Sequence, residues 1–241
     1  IHSQHDTDLK KPEDWSKYGY SKKDSVWFRS VDHIERVHEN SLSPEEFVRR
    51  FERAQRPVML QGITERWSAS KNWTVKNLCR DYGNIKFQCG DDDKGKSMKM
   101  KMKHFVSYMQ NQTDDSPLYV FDSTFDERNG TKKLRSDYEV PKYFKQNLWD
   151  FMPKDKDPPH SWFLIGPKRS GTTVHIDPLG TSAWNTLLQG RKRWFVIEPK
   201  APKKIVEGIE FVKSCDDDEA IMYFTNTVPM IRHKYKTNFE M

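Results

Sequence analysis

The chain of 241 residues can bury a core without covalent staples, as one sizeable domain or one domain with an appendage. Its 35% hydrophobic and 32% charged residues suit a wide polar surface, and apolar runs such as 162–165 and 194–197 are strand length, which excludes a helical membrane span. A formal charge of +6 and a pI near 9.0 leave two readings open: a surface for acidic partners, nucleic acid among them, or a mildly basic surface with no such duty.

Ile1-His-Ser-Gln-His-Asp6 is polar and lacks the apolar run of a signal peptide. Residues 1–40 read as a polar, partly helical N-terminal arm, with helix over Val31–His38. Ser43-Pro-Glu-Glu46 has the marks of a helix start, a Ser cap with Pro at the first position and acids in the first turn; Phe47, Val48 and Phe51 supply its apolar face. Pro57–Leu60 reads as a strand closed by Gly62, and Trp67–Tyr82 as a helical region stopped by Gly83, with Trp73, Leu78 and Tyr82 inward.

Ile85–Cys89 alternates as a strand, Gly90–Gly95 is a charged turn, and Met98-Lys-Met-Lys-Met-Lys103 alternates strictly. Met98, Met100 and Met102 then share a core face. Lys99, Lys101 and Lys103 share the other, either as a solvated edge that resists unwanted pairing or as a nucleic-acid contact. Leu118–Phe121 is a further strand, followed by a polar loop from Asp126 to Arg135. Pro141–Phe144 and Leu148–Phe151 form a short amphipathic stretch, Pro153–Pro159 is a linker, and strands and turns follow from Trp162. Cys79, Cys89 and Cys215 are widely spaced with no Cys-x-x-Cys pair, which argues against a disulfide framework or structural zinc and for a reducing compartment.

Residues 169–197 carry the candidate chemistry. In an extended strand residues two apart share a face, so His175 and Asp177 would set an imidazole beside a carboxylate. One His, one carboxylate and a second His form the facial triad of non-haem Fe(II) oxygenases, which leaves positions open for substrate and oxygen. The bare spacing is short enough to arise by chance. His33-Ile-Glu35 repeats it inside the stretch read as a solvated helix, where residues two apart do not face each other. Around His175 the approach Gly171-Thr-Thr-Val174 favours strand, and Pro178-Leu-Gly180 ends it in a turn.

Longer runs sharpen this reading: His160–Pro167, Arg169-Ser-Gly-Thr172, His175–Asn185 and Gln189–Trp194, preceded by Lys99–Lys103 and Asp114–Asp122. Together they resemble the jumonji-C branch of the cupin-fold Fe(II)/2-oxoglutarate oxygenases, over roughly residues 42–224. The resemblance implies a mainly β chain with N-terminal helices, built as a cupin-type double-stranded β-helix (jelly roll). Residues 1–40 would be the arm, 41–152 the flanking helical and strand region, 153–225 the barrel core and 226–241 a divergent tail. It also implies Fe(II) held by His175 and Asp177, with 2-oxoglutarate and O2. Lys192 would meet the far carboxylate of 2-oxoglutarate, Asn185 and Thr172 would hydrogen-bond it, and Tyr119 would reach its carboxylate. Lys192 can equally be a strand-surface cation beside Arg191 and Arg193, and Thr172 a turn residue. The implied activity is lysyl hydroxylation, arginine demethylation or both, on Lys or methyl-Arg side chains of nuclear proteins such as histones and RNA-processing factors. Links to RNA, chromatin, phosphatidylserine and the clearance of apoptotic cells rest on resemblance alone.

The pattern breaks at the second His. Past Asp177 the chain has only His233, in the basic, turn-like Ile231–Lys236, where an exposed tail residue is expected; past Trp194 it has no Trp. The third metal ligand is therefore not identified, with His233 the remaining candidate, and two protein ligands hold iron more weakly than three. The expectation is a truncated isoform, a fragment or a faulty gene model whose barrel is incomplete at its C-terminal end. An open barrel would expose unpaired backbone and apolar side chains. The alternative function is a catalytically inactive form acting as a binding module for RNA, protein or anionic lipid.

Overall fold

The computed structural model describes residues 11–22, 33–91, 96–153, 158–208 and 219–235. The described part of the arm holds two 3-10 turns, Pro12–Ser16 and Tyr20–Lys22. Buried Asp115 pins it by accepting the backbone N–H of Tyr18 at 2.6 Å and of Tyr20 at 2.7 Å.

Strand β1 (Glu35–His38) runs parallel to β2 (Val58–Gln61), with Glu35 opposite Val58 and His38 opposite Gln61. This corrects the helix expected over Val31–His38, of which Val31 and Asp32 lie outside the described residues. Burial alternates with period two along the strand, Val37 packs towards Leu42, Phe47 and Phe51, and pairing to β2 outweighs the local helical pattern. Helix α1 (Pro44–Phe47) begins as expected. Ser43 Oγ accepts the Glu46 N–H at 3.1 Å, and one π turn, Val48–Glu52, carries the helix on so that Phe47 and Phe51 are both buried. Arg50 donates to Glu46 at 2.8 Å and also to Glu35, tying α1 to β1. Gly62 ends β2 with φ +89, and a Cβ there would lie 2.6 Å from the His38 ring, so both conformation and space demand glycine.

The helical region from Trp67 divides into α2 (Ala69–Asn72) and α3 (Val75–Tyr82), the latter capped by Thr74. Trp73 stands at the break and donates its indole N–H to Asp137 Oδ2 at 2.9 Å. Strands β3 (Lys86–Asp91) and β4 (Ser97–Lys101) are antiparallel; most of the charged turn between them lies outside the described residues. The Met/Lys alternation stops at Lys101, two residues earlier than expected. There the chain enters α4 (Met102–Asn111), because Met102, Phe105, Val106 and Met109 follow helical spacing and pack into the core.

Strand β5 (Val120–Asp122) pairs antiparallel with β6 (Phe163–Ile165). The main core gathers Phe87, Met102, Phe105, Val120, Phe125, Leu134 and Phe163. Phe163 stands edge-on to Trp73 with ring centroids 5.1 Å apart. Beyond β6 the succession of strands expected across 153–225 is replaced by irregular chain with turns to Ile197. Helices α5 (Lys203–Val206), α6 (Ala220–Met222) and α7 (Val228–Tyr235) follow. The described residues thus mix short helices with three two-stranded sheets rather than being mainly β. The reason is visible in the side chains. Ile205, Tyr223, Val228 and Ile231 bury together as a helical cluster with Val174 and Phe195, whereas Ile176 and Leu179 are each 85% exposed. Among the described residues no helix is long and apolar enough to cross a membrane.

Candidate metal and cosubstrate site

Residues 171–177 are irregular chain with a bend at Val174 rather than a ladder-bonded strand, which corrects the strand expected there. His175 Nε2 lies 3.2 Å from Asp177 Oδ1, while its other ring nitrogen, Nδ1, is 2.7 Å from the Thr173 carbonyl oxygen. Nδ1 can only donate to that carbonyl, which leaves Nε2 as the ring nitrogen turned to the carboxylate. Two donors on adjacent corners of one octahedral ion, each about 2.1 Å from it, stand about 3 Å apart, so this pair has the span of a shared metal edge. Both side chains keep solvent access, and the 3-10 turn Pro178–Gly180 follows directly. Among the described residues no group of three or more His, Cys, Asp and Glu side chains could hold an ion. His233 sits exposed on α7, beside Pro229, Met230 and Lys234, and joins no such group.

Tyr119, next to β5, and Thr172, three residues before His175, come together with Tyr119 Oη 3.1 Å from Thr172 Oγ1. Burial pushes the Tyr119 phenol pKa up and the nearby Glu219 charge adds to this, against the lowering effect of the Thr172 bond. The phenol therefore stays protonated and can donate. Lys192 retains solvent access, yet the surrounding chain desolvates its ammonium and lowers its pKa. Its Nζ lies 4.5 Å from the Trp194 ring centroid, a cation–π contact. Asn185, earlier in the same irregular stretch, is exposed. Two pairs are thus assembled, His175 with Asp177 and Tyr119 with Thr172. Lys192 and Asn185 share no hydrogen bond with either pair.

Two supports carried no role in the reading of the sequence. Trp184 seats the irregular stretch by stacking on Phe144, interplanar angle 4°, with its edge towards Trp67 and Tyr138. Arg169 adopts φ +75 and reaches across to the loop that precedes Tyr119. Its signal was the Arg-Ser-Gly turn ahead of Thr172, but the loop it grips lies some fifty residues away in the chain.

Residues 44–229 match the cupin-like domain, and the chain belongs to that family, whose fold is the cupin jelly roll. Over 219 residues it is 50% identical to the bifunctional arginine demethylase and lysyl-hydroxylase psr-1 of Caenorhabditis elegans, covering 90% of this chain and 54% of that protein. It is also 41% identical over 159 residues to the lysine-specific demethylase JMJ21 of Arabidopsis thaliana, covering 66% of this chain and 16% of that protein. With the arginine-specific demethylase JMJ22 of the same plant, identity is 35% over 173 residues, 72% of this chain and 32% of that protein. The resemblance read from residues 160–194 is borne out at this level. The chain spans about half the length of the psr-1 relatives it matches.

Proposed function

We propose that this chain carries the Fe(II)- and 2-oxoglutarate-binding core of a protein oxygenase that hydroxylates lysyl side chains, demethylates methyl-arginine, or does both, on nuclear proteins. The observation that carries the reading is the 3.2 Å approach of His175 Nε2 to Asp177 Oδ1, with Nδ1 committed to a backbone carbonyl. Two donors with the right span fit an Fe(II) edge, and among the described residues no third His, Cys, Asp or Glu gathers with them. Bound iron, with 2-oxoglutarate and O2, supplies oxidation of a substrate C–H bond: insertion of oxygen gives hydroxylysine, and on an N-methyl group gives a hydroxymethyl that leaves as formaldehyde.

The residues of this chain do the rest. His175 and Asp177 hold the metal. Tyr119, a half-buried phenol whose pKa is raised by desolvation, donates to a cosubstrate carboxylate beside the Thr172 hydroxyl. Lys192 supplies the cation for the far carboxylate, where a charge-assisted bond is stronger than a neutral one, and Asn185 adds an amide.

The test is Fe(II) binding by the 241-residue chain with 2-oxoglutarate under anaerobic conditions, followed by succinate release when oxygen is admitted. Binding with turnover that is lost in His175→Ala is expected. A folded sample that binds neither metal nor 2-oxoglutarate refutes the reading.

A second reading rests on the β3–β4 hairpin, where Lys86 faces Lys101 directly and Lys99 lies beside Gln88, on the side away from buried Phe87. Opposed like charges are unfavourable until an anion lies between them. This supports a binding module for RNA or an anionic lipid headgroup. Binding insensitive to added salt would count against it, because phosphate contacts release counterions.

A further inference from the structure

Arg169 combines two features that seldom coincide. It is a non-glycine residue in the left-handed region, φ +75, and its guanidinium is half-buried with two committed donors. Nε donates to the Asp114 carbonyl at 3.0 Å, and one terminal nitrogen donates to Gln112 Oε1 at 3.0 Å. A bulky, charged side chain in this backbone region is strained, and such strain persists only where the surroundings enforce it.

The loop it grips leads to Tyr119. Tyr108 of α4 donates its Oη to Asp114 Oδ2 of that loop at 2.5 Å and accepts the Leu118 N–H at 3.0 Å, so the residue before Tyr119 is linked through Tyr108 to Asp114. On the other side of Arg169 the chain is equally constrained. Ser170 Oγ donates to the Pro167 carbonyl at 2.8 Å, and a Cβ on Gly166 would lie 2.2 Å from Ser170 Oγ and 3.2 Å from the Tyr119 Cβ. Thr172 follows two residues later. One guanidinium therefore joins the two segments that deliver Tyr119 Oη and Thr172 Oγ1 to within 3.1 Å of each other.

We infer that Arg169 is a positioning residue that holds the Tyr119 and Thr172 hydroxyls as a preformed pair for the carboxylate of 2-oxoglutarate. The inference rests on the cosubstrate reading proposed above and adds a residue that touches neither metal nor cosubstrate. Its planar fork explains why arginine stands here. Two donors at a fixed angle reach a carbonyl and an amide oxygen at once, and the single point charge of lysine cannot do so.

The experiment measures 2-oxoglutarate affinity of the full chain with Mn(II), which requires no turnover, for wild type, Arg169→Gln, Arg169→Lys, Tyr119→Phe and Tyr119→Phe with Arg169→Gln. Arg169→Gln should weaken 2-oxoglutarate about tenfold, at the low end of the range for residues that support a ligand-binding shell, with Mn(II) affinity unchanged. Arg169→Lys should recover part of the loss. The Tyr119→Phe effect should shrink in the Arg169→Gln background, because a mispositioned hydroxyl has little left to lose. Additive effects, or wild-type affinity in Arg169→Gln, overturn the inference while leaving the cosubstrate reading intact. Absence of 2-oxoglutarate binding in wild type defeats the cosubstrate reading itself. Failure of both Arg169 variants to fold, judged by far-ultraviolet circular dichroism, overturns the inference by making Arg169 a general scaffold residue.

Discussion

Asp122→Asn tests whether one buried carboxylate holds the sheet behind the site. Asp122 is 1% exposed, and its two oxygens take four donors: Gln88 N–H at 3.1 Å, Thr124 N–H at 2.9 Å, Thr124 Oγ–H at 3.0 Å and Arg128 Nη2 at 2.5 Å. Oδ1 serves the Thr124 turn. Oδ2 serves β3 and Arg128, so the carboxylate joins β3 to β5 directly behind Tyr119. Asparagine can keep one oxygen on Thr124, but its NH2 then faces the Gln88 N–H and a guanidinium with no acceptor between them. Breaking a buried ion pair from one side costs about 3–5 kcal/mol. Arg128 keeps 29% of its side-chain surface in solvent, which lowers the expected loss to about 2–3 kcal/mol. With a urea m-value of about 2 kcal/mol/M, the midpoint of equilibrium unfolding should fall by about 1–1.5 M at unchanged m. Thr124→Val removes one hydroxyl bond and should cost about 1 kcal/mol. If Asp122→Asn shifts stability by less than about 0.5 kcal/mol, the carboxylate is not the tie between these strands.

Further outcomes follow from the same geometry. His175→Ala and Asp177→Ala should each weaken Mn(II) binding by at least about tenfold, measured calorimetrically. Both side chains are partly exposed, so urea midpoints should stay at the wild-type value. Gly62→Ala should destabilise by about 1–2 kcal/mol from its φ of +89 alone, and more from the 2.6 Å clash with His38; His38→Ala should restore only the clash component. Ser43→Ala should cost about 1 kcal/mol by freeing the Glu46 N–H. Desolvation lowers the Lys192 pKa, so its cation is lost at a lower pH than an ordinary lysine's. The affinity for 2-oxoglutarate should therefore hold at neutral pH and fall as pH rises through that lowered value. In Lys192→Arg the fall should vanish, and an identical pH profile in both proteins would remove Lys192 from the site.

Local chemistry was legible where a few neighbouring residues decide the outcome. Ser43 with Pro44 announced a capped helix, Gly62 a left-handed stop, and the Met/Lys alternation a strand with one wet face. Each of these rests on backbone geometry or burial within one turn or one pleat. The errors came where two periodicities overlap or where a distant partner decides. Met102 continues the alternation of Met98 and Met100, yet it also opens the helical set Met102, Phe105, Val106 and Met109, and the helix buries more apolar surface. Val31–His38 carries a helical spacing in sequence, but β2, which pairs with Glu35–His38, lies some twenty residues away.

The site divides in the same manner. His175 and Asp177 meet across a spacing of only two residues, so a short pattern sufficed even without a ladder. Tyr119 and Thr172 meet because β5 pairs with β6 and Arg169 ties the loop before Tyr119 to the turn before Thr172, and no local rule encodes that distance. The metal pair therefore needs little support and sits in the open, whereas the hydroxyl pair leans on Arg169, held in the left-handed region, and on a half-buried phenol. Loss of the support should strike 2-oxoglutarate before it strikes the metal. Separate titrations of the two ligands in Arg169→Gln would detect that order.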